Sequence, residues 1–251
     1  MRANRKIAVV TPAHNEAGAI ANVIAEIPVW VDRIIVADNA STDATAERAC
    51  AAGATVVHEA RMGYGAACLA GLAHTGASDI IVFLDGDYSD HPSEMNLLVD
   101  PILDGNADLV LGSRVLGARA PGSLTPQQRA GNWLATRLIH FIWGVRLTDL
   151  GPFRAVRADA LRRLAMADCD FGWTVEMQVR AIEEGLRISE VPVSYRCRIG
   201  TSKISGTVRG TVRAGAKILY VIARHAARRY FFGDRRLRVP ERQSRASGAP
   251  E

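Results

Sequence analysis

The chain has 251 residues, 48% of them hydrophobic, so it can bury a substantial core as one large α/β domain or as a domain with an appendage. Its net charge of +5 arises at the C-terminus, where residues 209–251 hold 11 Lys and Arg against 3 Asp and Glu. The main body is therefore not expected to bind nucleic acid, and no apolar run reaches the ~18 to 20 residues of an integral membrane protein.

Short apolar runs alternate with helical segments through the first 115 residues. The predicted strands are "KIAVV", "RIIVADNA", "ATVVHEA", "DIIVFLD" and "ADLVLGSR", and apolar residues recur at helical spacing between them. Ser41 is predicted to cap the second helix. This alternation predicts βαβ units, and hence an α/β fold with a mostly parallel sheet and helices on both faces.

After residue 115 the pattern changes. Thr125 followed by Pro126 predicts the start of a long helix with several aromatic residues. "DLGPFRAVR" then predicts a turn that enters a strand, "WTVEMQVRAIEEG" a helix and "RISEVPVSYRCR" an extended segment. Residues 207–233 predict a basic amphipathic helix, and residues 234–251 predict a disordered tail.

Polar clusters follow several of the predicted strands. They are Asn15-Glu16, Asp38-Asn39, Asp85-Gly86-Asp87 and Gly112-Ser113-Arg114. Ligands of parallel α/β sheets bind beyond the carboxyl ends of the strands. The four clusters therefore predict a single binding edge.

Asp85 and Asp87 flank Gly86 at the end of the strand "DIIVFLD". Alternate side chains of an extended chain point in similar directions, and the small middle residue lets a ligand come close. Hard cations such as Mg²⁺ or Mn²⁺ bind carboxylate oxygens and keep waters and substrate phosphates as further ligands. The pair therefore predicts a metal site for a nucleotide diphosphate, and the alternative is a β-turn in which the aspartates only form the turn.

The motifs "VVTPAHNE", "VADNASTDAT", "FLDGDYSDHP" and "GSR", in this order, resemble the family 2 glycosyltransferases of the GT-A fold. "TDLGPFRAVR" and "VPVSYRCRIGTSKISG" extend the resemblance to the branch of dolichyl-phosphate mannosyltransferases and related polyprenyl-phosphate sugar transferases. The resemblance implies a Rossmann-like GT-A domain over residues 1–206, with a nucleotide-binding half (1–115) and an acceptor-binding half (116–206). The implied activity is that of an inverting, metal-dependent hexosyltransferase that uses a UDP- or GDP-sugar.

The resemblance also implies donor-site residues. They are Pro12, Asn15, Glu16, Asp38, Gly65, Asp85, Gly86, Arg198 and Lys203. Asp38 would accept hydrogen bonds from the base, and the two basic residues would neutralise the diphosphate. Asp85 and Asp87 would hold Mg²⁺ or Mn²⁺, and Asp87 would be catalytic. The alternatives are a solvated basic loop for the two cations and a simple helix-start loop around Gly65.

On the acceptor side, the resemblance implies a polyprenyl phosphate bound by Arg114, Arg129 and Asn132. A phosphate attacks without a catalytic base, whereas a hydroxyl acceptor needs one within hydrogen-bond reach. Asp149, Asp170 and Glu176 are the carboxylates available for that case, and Asp149 and Glu176 are the predicted catalytic ones. The alternative for Glu176 is a structural, Arg-paired residue on a helix.

Compartment and membrane contact are predicted from the cysteines and from the basic helix at residues 207–233. The four cysteines form no C-x-x-C pair, which argues against zinc or disulfides and favours a reducing compartment, and the N-terminus is not typical of a signal peptide. The basic helix is typical of peripheral contact with anionic lipid, and packing on the catalytic domain is the alternative. We therefore predict a cytoplasmic protein that is peripheral at the inner face of the cell membrane. The sequence is also compatible with a homo-oligomer.

Two other function classes are compatible with parts of the sequence. A sugar-1-phosphate nucleotidyltransferase would carry a basic, Gly-rich loop after the first strand, where this chain has "PAHNEAGAI". A non-catalytic module would bind nucleotide or anionic lipid without metal dependence. Within the glycosyltransferase interpretation, a soluble hydroxyl acceptor is the alternative to a lipid phosphate.

Overall fold

The computed structural model describes residues 1–200 and 208–232. The strands are β1 Ile7–Ala13, β2 Arg33–Asp38, β3 Thr55–His58, β4 Ile80–Phe83, β5 Leu109–Ser113, β6 Arg154–Arg157 and β7 Ile188–Pro192. The helices are α1 Ile20–Glu26, α2 Thr45–Ala51, α3 Tyr64–Leu72, α4 Met95–Leu103, α5 Pro126–Trp143, α6 Ala158–Leu164, α7 Trp173–Glu183 and α8 Val208–Phe232. Lys203 and the predicted tail at 234–251 lie outside the described residues.

Within the described residues, seven strands form one sheet in the order β3-β2-β1-β4-β6-β5-β7. β6 is antiparallel to both of its neighbours, and the other pairs are parallel. The predicted mostly parallel α/β sheet is therefore confirmed. Because β6 lies between β4 and β5, the second half of the chain shares one sheet with the first half, and the carboxyl ends of β1, β2, β4 and β5 meet at one edge.

Alternation along the central strands divides the core into two layers. Val10 and Phe83 belong to the cluster that α3, α5, α7 and α8 cover, whereas Val9 and Val82 belong to the cluster that α1 and α4 cover. Every residue of β1 and β4 is buried, as expected of strands with helices on both faces. Burial on both faces makes the sheet a rigid support for the loops at its carboxyl edge.

The two predicted helix starts have different outcomes. Thr125 accepts a hydrogen bond from the Gln128 N–H, the Gln128 side chain accepts one from the Thr125 N–H, and this capping box begins α5 as predicted. The prediction for Ser41 is wrong, because α2 begins at Thr45 and the Ser41 hydroxyl accepts the Asn15 N–H instead. A loop from another strand thus uses the oxygen that was expected to cap the helix.

Helix α8 packs against α5 and α7, with several of its basic side chains paired to acidic ones. The distances are 2.8 Å for Lys217–Asp168, 3.5 Å for Arg224–Glu176 and 2.8 Å for His225–Glu183. The outward face exposes apolar side chains, namely Val212, Leu219, Tyr220, Tyr230 and Phe231. Within residues 1–200 and 208–232, no helix combines the length and the apolar character that a bilayer crossing requires. Packing on the domain, the alternative considered for this helix, is therefore observed for one of its faces.

Candidate active site

A cavity of ≈ 370 Å³ opens at the carboxyl edge of the sheet, where the predicted polar clusters meet. It is lined by Pro12, Ala13, His14, Glu16, Asn39, Met62, Gly63, Tyr64, Ala67, Asp85, Gly86, Asp87, Asp170, Phe171, Arg198 and Arg213. Five of the predicted donor-site residues and the predicted catalytic Asp87 are in this set. Helix α8 and the loop before α7 also contribute to the wall, which the sequence did not predict.

Asp85 and Asp87 lie together on the cavity wall just after β4. Asp85 Oδ1 accepts the Tyr64 hydroxyl at 3.0 Å, and Asp87 Oδ1 accepts the Ser89 N–H at 2.9 Å. Burial, together with the neighbouring Asp87 charge, raises the pKa of Asp85 to about 7. Two carboxylates that repel each other in a partly dry wall are a favourable place for a divalent cation, because the cation relieves that repulsion.

A third carboxylate, Asp90, lies behind this pair. Its side chain is buried, Oδ2 accepts the Asp85 N–H at 3.3 Å, and Oδ1 has no hydrogen-bond partner among the described residues. Burial and the charges of Asp85 and Asp87 raise the pKa of Asp90 well above its ordinary value. No role was predicted for Asp90 from the sequence, although it lies in the same "FLDGDYSDHP" motif as Asp85 and Asp87, and that proximity was the available signal.

The metal predicted for this site would have few protein ligands. Across residues 1–200 and 208–232, no group of three or more His, Cys, Asp or Glu side chains converges as a metal cage. The chain thus offers the two carboxylates of Asp85 and Asp87, and diphosphate oxygens and waters would complete the coordination shell. Such a small protein contribution is usual for Mg²⁺ sites that also bind substrate phosphates.

Arg198 reaches the cavity from the segment after β7. Its guanidinium lies 2.8 Å from Glu16 Oε1 and 3.2 Å from Asp87 Oδ2, and the next N–H, that of Ile199, donates to the Asp87 carbonyl. The alternative of a solvated loop does not describe this residue, because its guanidinium lies against two carboxylates. Arg198 therefore holds a positive charge beside the predicted metal ligands, and Glu16 positions that charge.

Three of the predicted donor residues that the structure describes lie outside the lining set, namely Asn15, Asp38 and Gly65. Asn15 has a φ of 53°, and its Oδ1 accepts the Thr42 N–H at 2.7 Å, so it joins the loops that follow β1 and β2. Asp38 is buried with Oδ2 3.1 Å from His58 Nδ1, while its Oδ1 has no hydrogen-bond partner within the described part of the chain. Binding of a base by Asp38 stays a prediction, and this oxygen is buried beside the cavity edge rather than part of the lining set.

The segment Gly63-Tyr64-Gly65 at the start of α3 has a packing role that disagrees with Gly65 as a nucleotide-binding residue. A Cβ at Gly65 would lie 2.0 Å from the Asp168 carbonyl oxygen, and one at Gly63 would lie 2.2 Å from that of Cys169. The Ala66 N–H donates to the Cys169 carbonyl at 2.9 Å. The missing side chains thus let the loop before α7 close onto α3. Gly63 still lines the cavity, but Gly65 is buried in this contact.

Two of the three predicted acceptor residues, Arg114 and Asn132, bind the same segment of residues 148–150. Arg114 makes a bidentate pair with Asp149 (Nε–Oδ2 2.8 Å, Nη2–Oδ1 2.7 Å) and stacks 5.0 Å from the Tyr195 ring centre. Asn132 donates to the Thr148 carbonyl, and Arg129 lies exposed near the start of α5. Asp149 is buried and fully used as the partner of Arg114, which disagrees with a base role and favours one in orienting the guanidinium.

Glu176 also disagrees with the base that was predicted from the sequence. Its side chain has no exposed surface, Oε2 accepts the Asp168 N–H at 2.7 Å, and Oε1 lies 3.0 Å from Arg180 Nε. A catalytic base must reach the acceptor, and this carboxylate is buried beneath α8 among its partners. The structural, Arg-paired alternative describes the observed geometry.

The family model for glycosyl transferase family 2 matches residues 8–165. The chain belongs to this family. An uncharacterised glycosyltransferase of Mycobacterium tuberculosis is 37% identical over 211 residues, which cover 83% of this chain and 94% of the relative. The undecaprenyl-phosphate mannosyltransferase of Micrococcus luteus is 30% identical over 224 residues, which cover 82% of this chain and 90% of that protein.

A solved structure with the same architecture is glucosyl-3-phosphoglycerate synthase of Mycobacterium tuberculosis in complex with Mn²⁺, UDP-glucose and phosphoglyceric acid. The two chains superpose with a TM-score of 0.73 at 26% identity, over 90% of this chain and 81% of that one. The predicted GT-A-type fold and the predicted glycosyltransferase class are therefore both confirmed. This family 2 glycosyltransferase has the cavity described above at the carboxyl edge of its sheet.

Proposed function

We propose that this glycosyltransferase moves a hexose from a UDP- or GDP-sugar to a polyprenyl phosphate, with inversion at the anomeric carbon. The observation that carries the proposal is the Asp85–Asp87 pair beside Arg198 on the wall of one cavity. Opposite charges at that point match a diphosphate bound through a divalent cation. The mannosyltransferase relative and the Mn²⁺ and UDP-glucose complex of the structural neighbour support it.

For the donor, Asp85 and Asp87 would hold Mg²⁺ or Mn²⁺, which when bound supplies charge neutralisation for the departing diphosphate. Arg198 adds a second positive charge, and Glu16 keeps its guanidinium directed at the cavity. Asp38 is proposed to accept a hydrogen bond from a base N–H with Oδ1, which has no hydrogen-bond partner among the described residues. These groups are in position before the reaction, so they stabilise developing negative charge without a large rearrangement.

For the acceptor, Arg114 is the proposed phosphate-binding residue. Asp149 and the Tyr195 ring hold its guanidinium in one orientation, and the exposed Arg129 adds charge at the start of α5. A phosphate oxygen is anionic near neutral pH and attacks without a base. This chemistry is compatible with the burial of Glu176 and Asp149, which leaves neither carboxylate available to take a proton.

Contact with a membrane surface is part of this proposal. The outward face of α8 combines exposed apolar side chains, including Val212, Tyr220 and Phe231, with a basic composition. Aromatic and basic side chains on one helix favour the interface of an anionic membrane. A lipid-linked phosphate would then reach the enzyme from the surface to which the helix binds.

Release of UDP or GDP from a panel of nucleotide-sugars tests the proposal, with Mn²⁺ or EDTA and with a short-chain polyprenyl phosphate as acceptor. We expect transfer only with metal and lipid phosphate, and a product of inverted anomeric configuration by NMR. A nucleotidyltransferase would instead form nucleotide-sugar and pyrophosphate from a sugar 1-phosphate and a nucleoside triphosphate, and a non-catalytic module would bind nucleotide without turnover. Either result would contradict the proposed transfer.

A soluble acceptor is the second candidate. The structural neighbour, glucosyl-3-phosphoglycerate synthase, has been solved with phosphoglyceric acid, which is a small phosphate-bearing acceptor. Arg114 would serve either acceptor, because both present a phosphate. Activity with small phosphate monoesters, and none with the polyprenyl phosphate, would favour this candidate over the lipid.

A further inference from the structure

We infer that α8 is part of the donor site, with Arg213 binding the anionic portion of the nucleotide-sugar and Lys217 positioning the loop of residues 168–172. The inference rests on the proposed function, since it assigns residues to the same donor cavity. From the sequence, this basic helix was predicted only to contact a membrane or to pack on the domain. The geometry of its first half points to an additional role.

Arg213 is the α8 side chain that lines the cavity, on whose wall Asp85, Asp87 and Arg198 also lie. Arg198 is already paired with two carboxylates, while Arg213 has no ion pair or hydrogen bond to its side chain from any described residue. The wall is otherwise rich in carboxylates, which repel a diphosphate. A guanidinium without a carboxylate partner at this point is well suited to bind phosphate oxygens in a bidentate manner.

Lys217 follows Arg213 by one helical turn, on the same side of α8. Its Nζ lies 2.8 Å from Asp168 Oδ2, and that carboxylate is almost fully buried. The other oxygen of Asp168 accepts the N–H groups of Asp170 at 2.9 Å and Gly172 at 3.2 Å. One carboxylate thus joins α8 to the backbone of the loop.

The same loop presents Asp170 and Phe171 to the cavity. Gly172 permits the close packing, since a Cβ there would lie 2.7 Å from both Asp168 Oδ2 and Val221 Cγ2 of α8. Loss of the Lys217 charge would leave the buried Asp168 carboxylate without its cation. The conformation of the loop, whose N–H groups this carboxylate accepts, would then be less stable. Lys217 is therefore a positioning residue for the part of the wall that the loop forms.

Binding of UDP or GDP by the full-length protein, in the presence of Mn²⁺, tests the role of Arg213 by calorimetry. For the nucleotide that wild type prefers, we expect Arg213→Gln to raise the dissociation constant about fivefold. We expect this difference in affinity to shrink at high salt. Arg228→Gln is the matched control, because it removes the same charge from the same helix about 22 Å farther along. We expect it to bind nucleotide as wild type does.

Steady-state kinetics with the accepted nucleotide-sugar test Lys217. We expect Lys217→Gln to raise the donor KM about threefold or more at a matched melting temperature, and Lys217→Arg to restore it because the ion pair is re-formed. Unchanged nucleotide affinity in Arg213→Gln, or an unchanged donor KM in Lys217→Gln, would overturn the corresponding assignment. If wild type bound neither nucleotide, both the donor site and the proposed function would be contradicted. If wild type bound nucleotide and both variants behaved as wild type does, only the present inference would be contradicted.

Discussion

The pKa values of carboxylates are shifted in opposite directions at the carboxyl and amino edges of the sheet. At the carboxyl edge, Asp85, Asp87 and Asp90 crowd together, and burial and mutual repulsion raise the pKa of Asp85 to about 7. At the amino edge, Asp108 precedes β5, and its oxygens accept hydrogen bonds from the Arg187 guanidinium at 2.9 and 3.0 Å. These bonds, with the nearby Arg157 charge, lower the pKa of Asp108 to about 2 against the opposing effect of burial.

The difference separates stability from function along one set of strands. A carboxylate with a lowered pKa stabilises the folded state while it is ionised, whereas one with a raised pKa destabilises it. Asp32 at the amino edge follows the first pattern, since the Ile7 N–H and the N-terminal ammonium lower its pKa. The protein keeps its unfavourable carboxylates at the edge where a bound cation would make them favourable, which is what is expected of a functional site.

The largest effect is expected for Asp87→Asn. Loss of one of the two predicted metal ligands should reduce the rate of sugar transfer by about 1,000-fold or more, with the fold intact. Initial rates at saturating Mn²⁺ and the melting temperature measure the two properties. Turnover close to that of wild type would contradict a functional role for the carboxylates at the carboxyl edge.

Glu176→Ala should mainly reduce stability. Its removal leaves two backbone N–H groups and the guanidinium groups of Arg180 and Arg224 without their buried acceptor. A loss of about 3 kcal/mol in the free energy of unfolding is expected from urea titration. A large fall in kcat at unchanged stability would instead support the catalytic role that the sequence predicted for this residue.

Asp108→Asn should cost stability without affecting transfer. We expect a loss of about 1 to 2 kcal/mol at neutral pH, since the amide cannot replace the charged pairs with Arg187 and Arg157. The stabilisation is present above the ordinary pKa of 3.8 and is lost as the pH falls through about 2, so wild type and variant should converge there. Urea titrations over this range measure it, and altered transfer rates would blur the contrast between the edges.

Asp85→Asn should have the smallest effect on stability among these variants, and an effect of opposite sign. The folded state retains a proton on Asp85 between about pH 3.8 and 7, so wild type loses stability as the pH rises through this window. In EDTA at about pH 8 the variant should melt a few degrees higher than wild type, and the two should agree at about pH 4. Added Mn²⁺ should stabilise wild type alone, and equal stabilisation of the variant would contradict the metal assignment.

Sequence reasoning succeeded where the signal is local. The β-branched runs, the Thr125-Pro126 start of α5 and the polar residues at strand ends predicted the elements and the binding edge, because period and turn chemistry depend on neighbours along the chain. The place of Asp85 and Asp87 on the cavity wall was predicted from a pattern of the same local kind. The predictions for Glu176, Asp149 and Gly65 disagree with the structure, since each contacts partners that are distant in sequence or separated by a loop.

By itself, the sequence determined the α/β class, the family and the edge of the sheet at which the cavity opens. Only the tertiary structure decided which polar groups face the cavity and which are paired inside the protein. Arg198 meets Asp87, and Arg213 reaches the same wall, only because β7 and α8 return to the first half of the chain. The sequence identifies an Asp or Glu but not its surroundings. Burial and partners, which folding sets, decide whether the carboxylate binds a ligand or holds a loop.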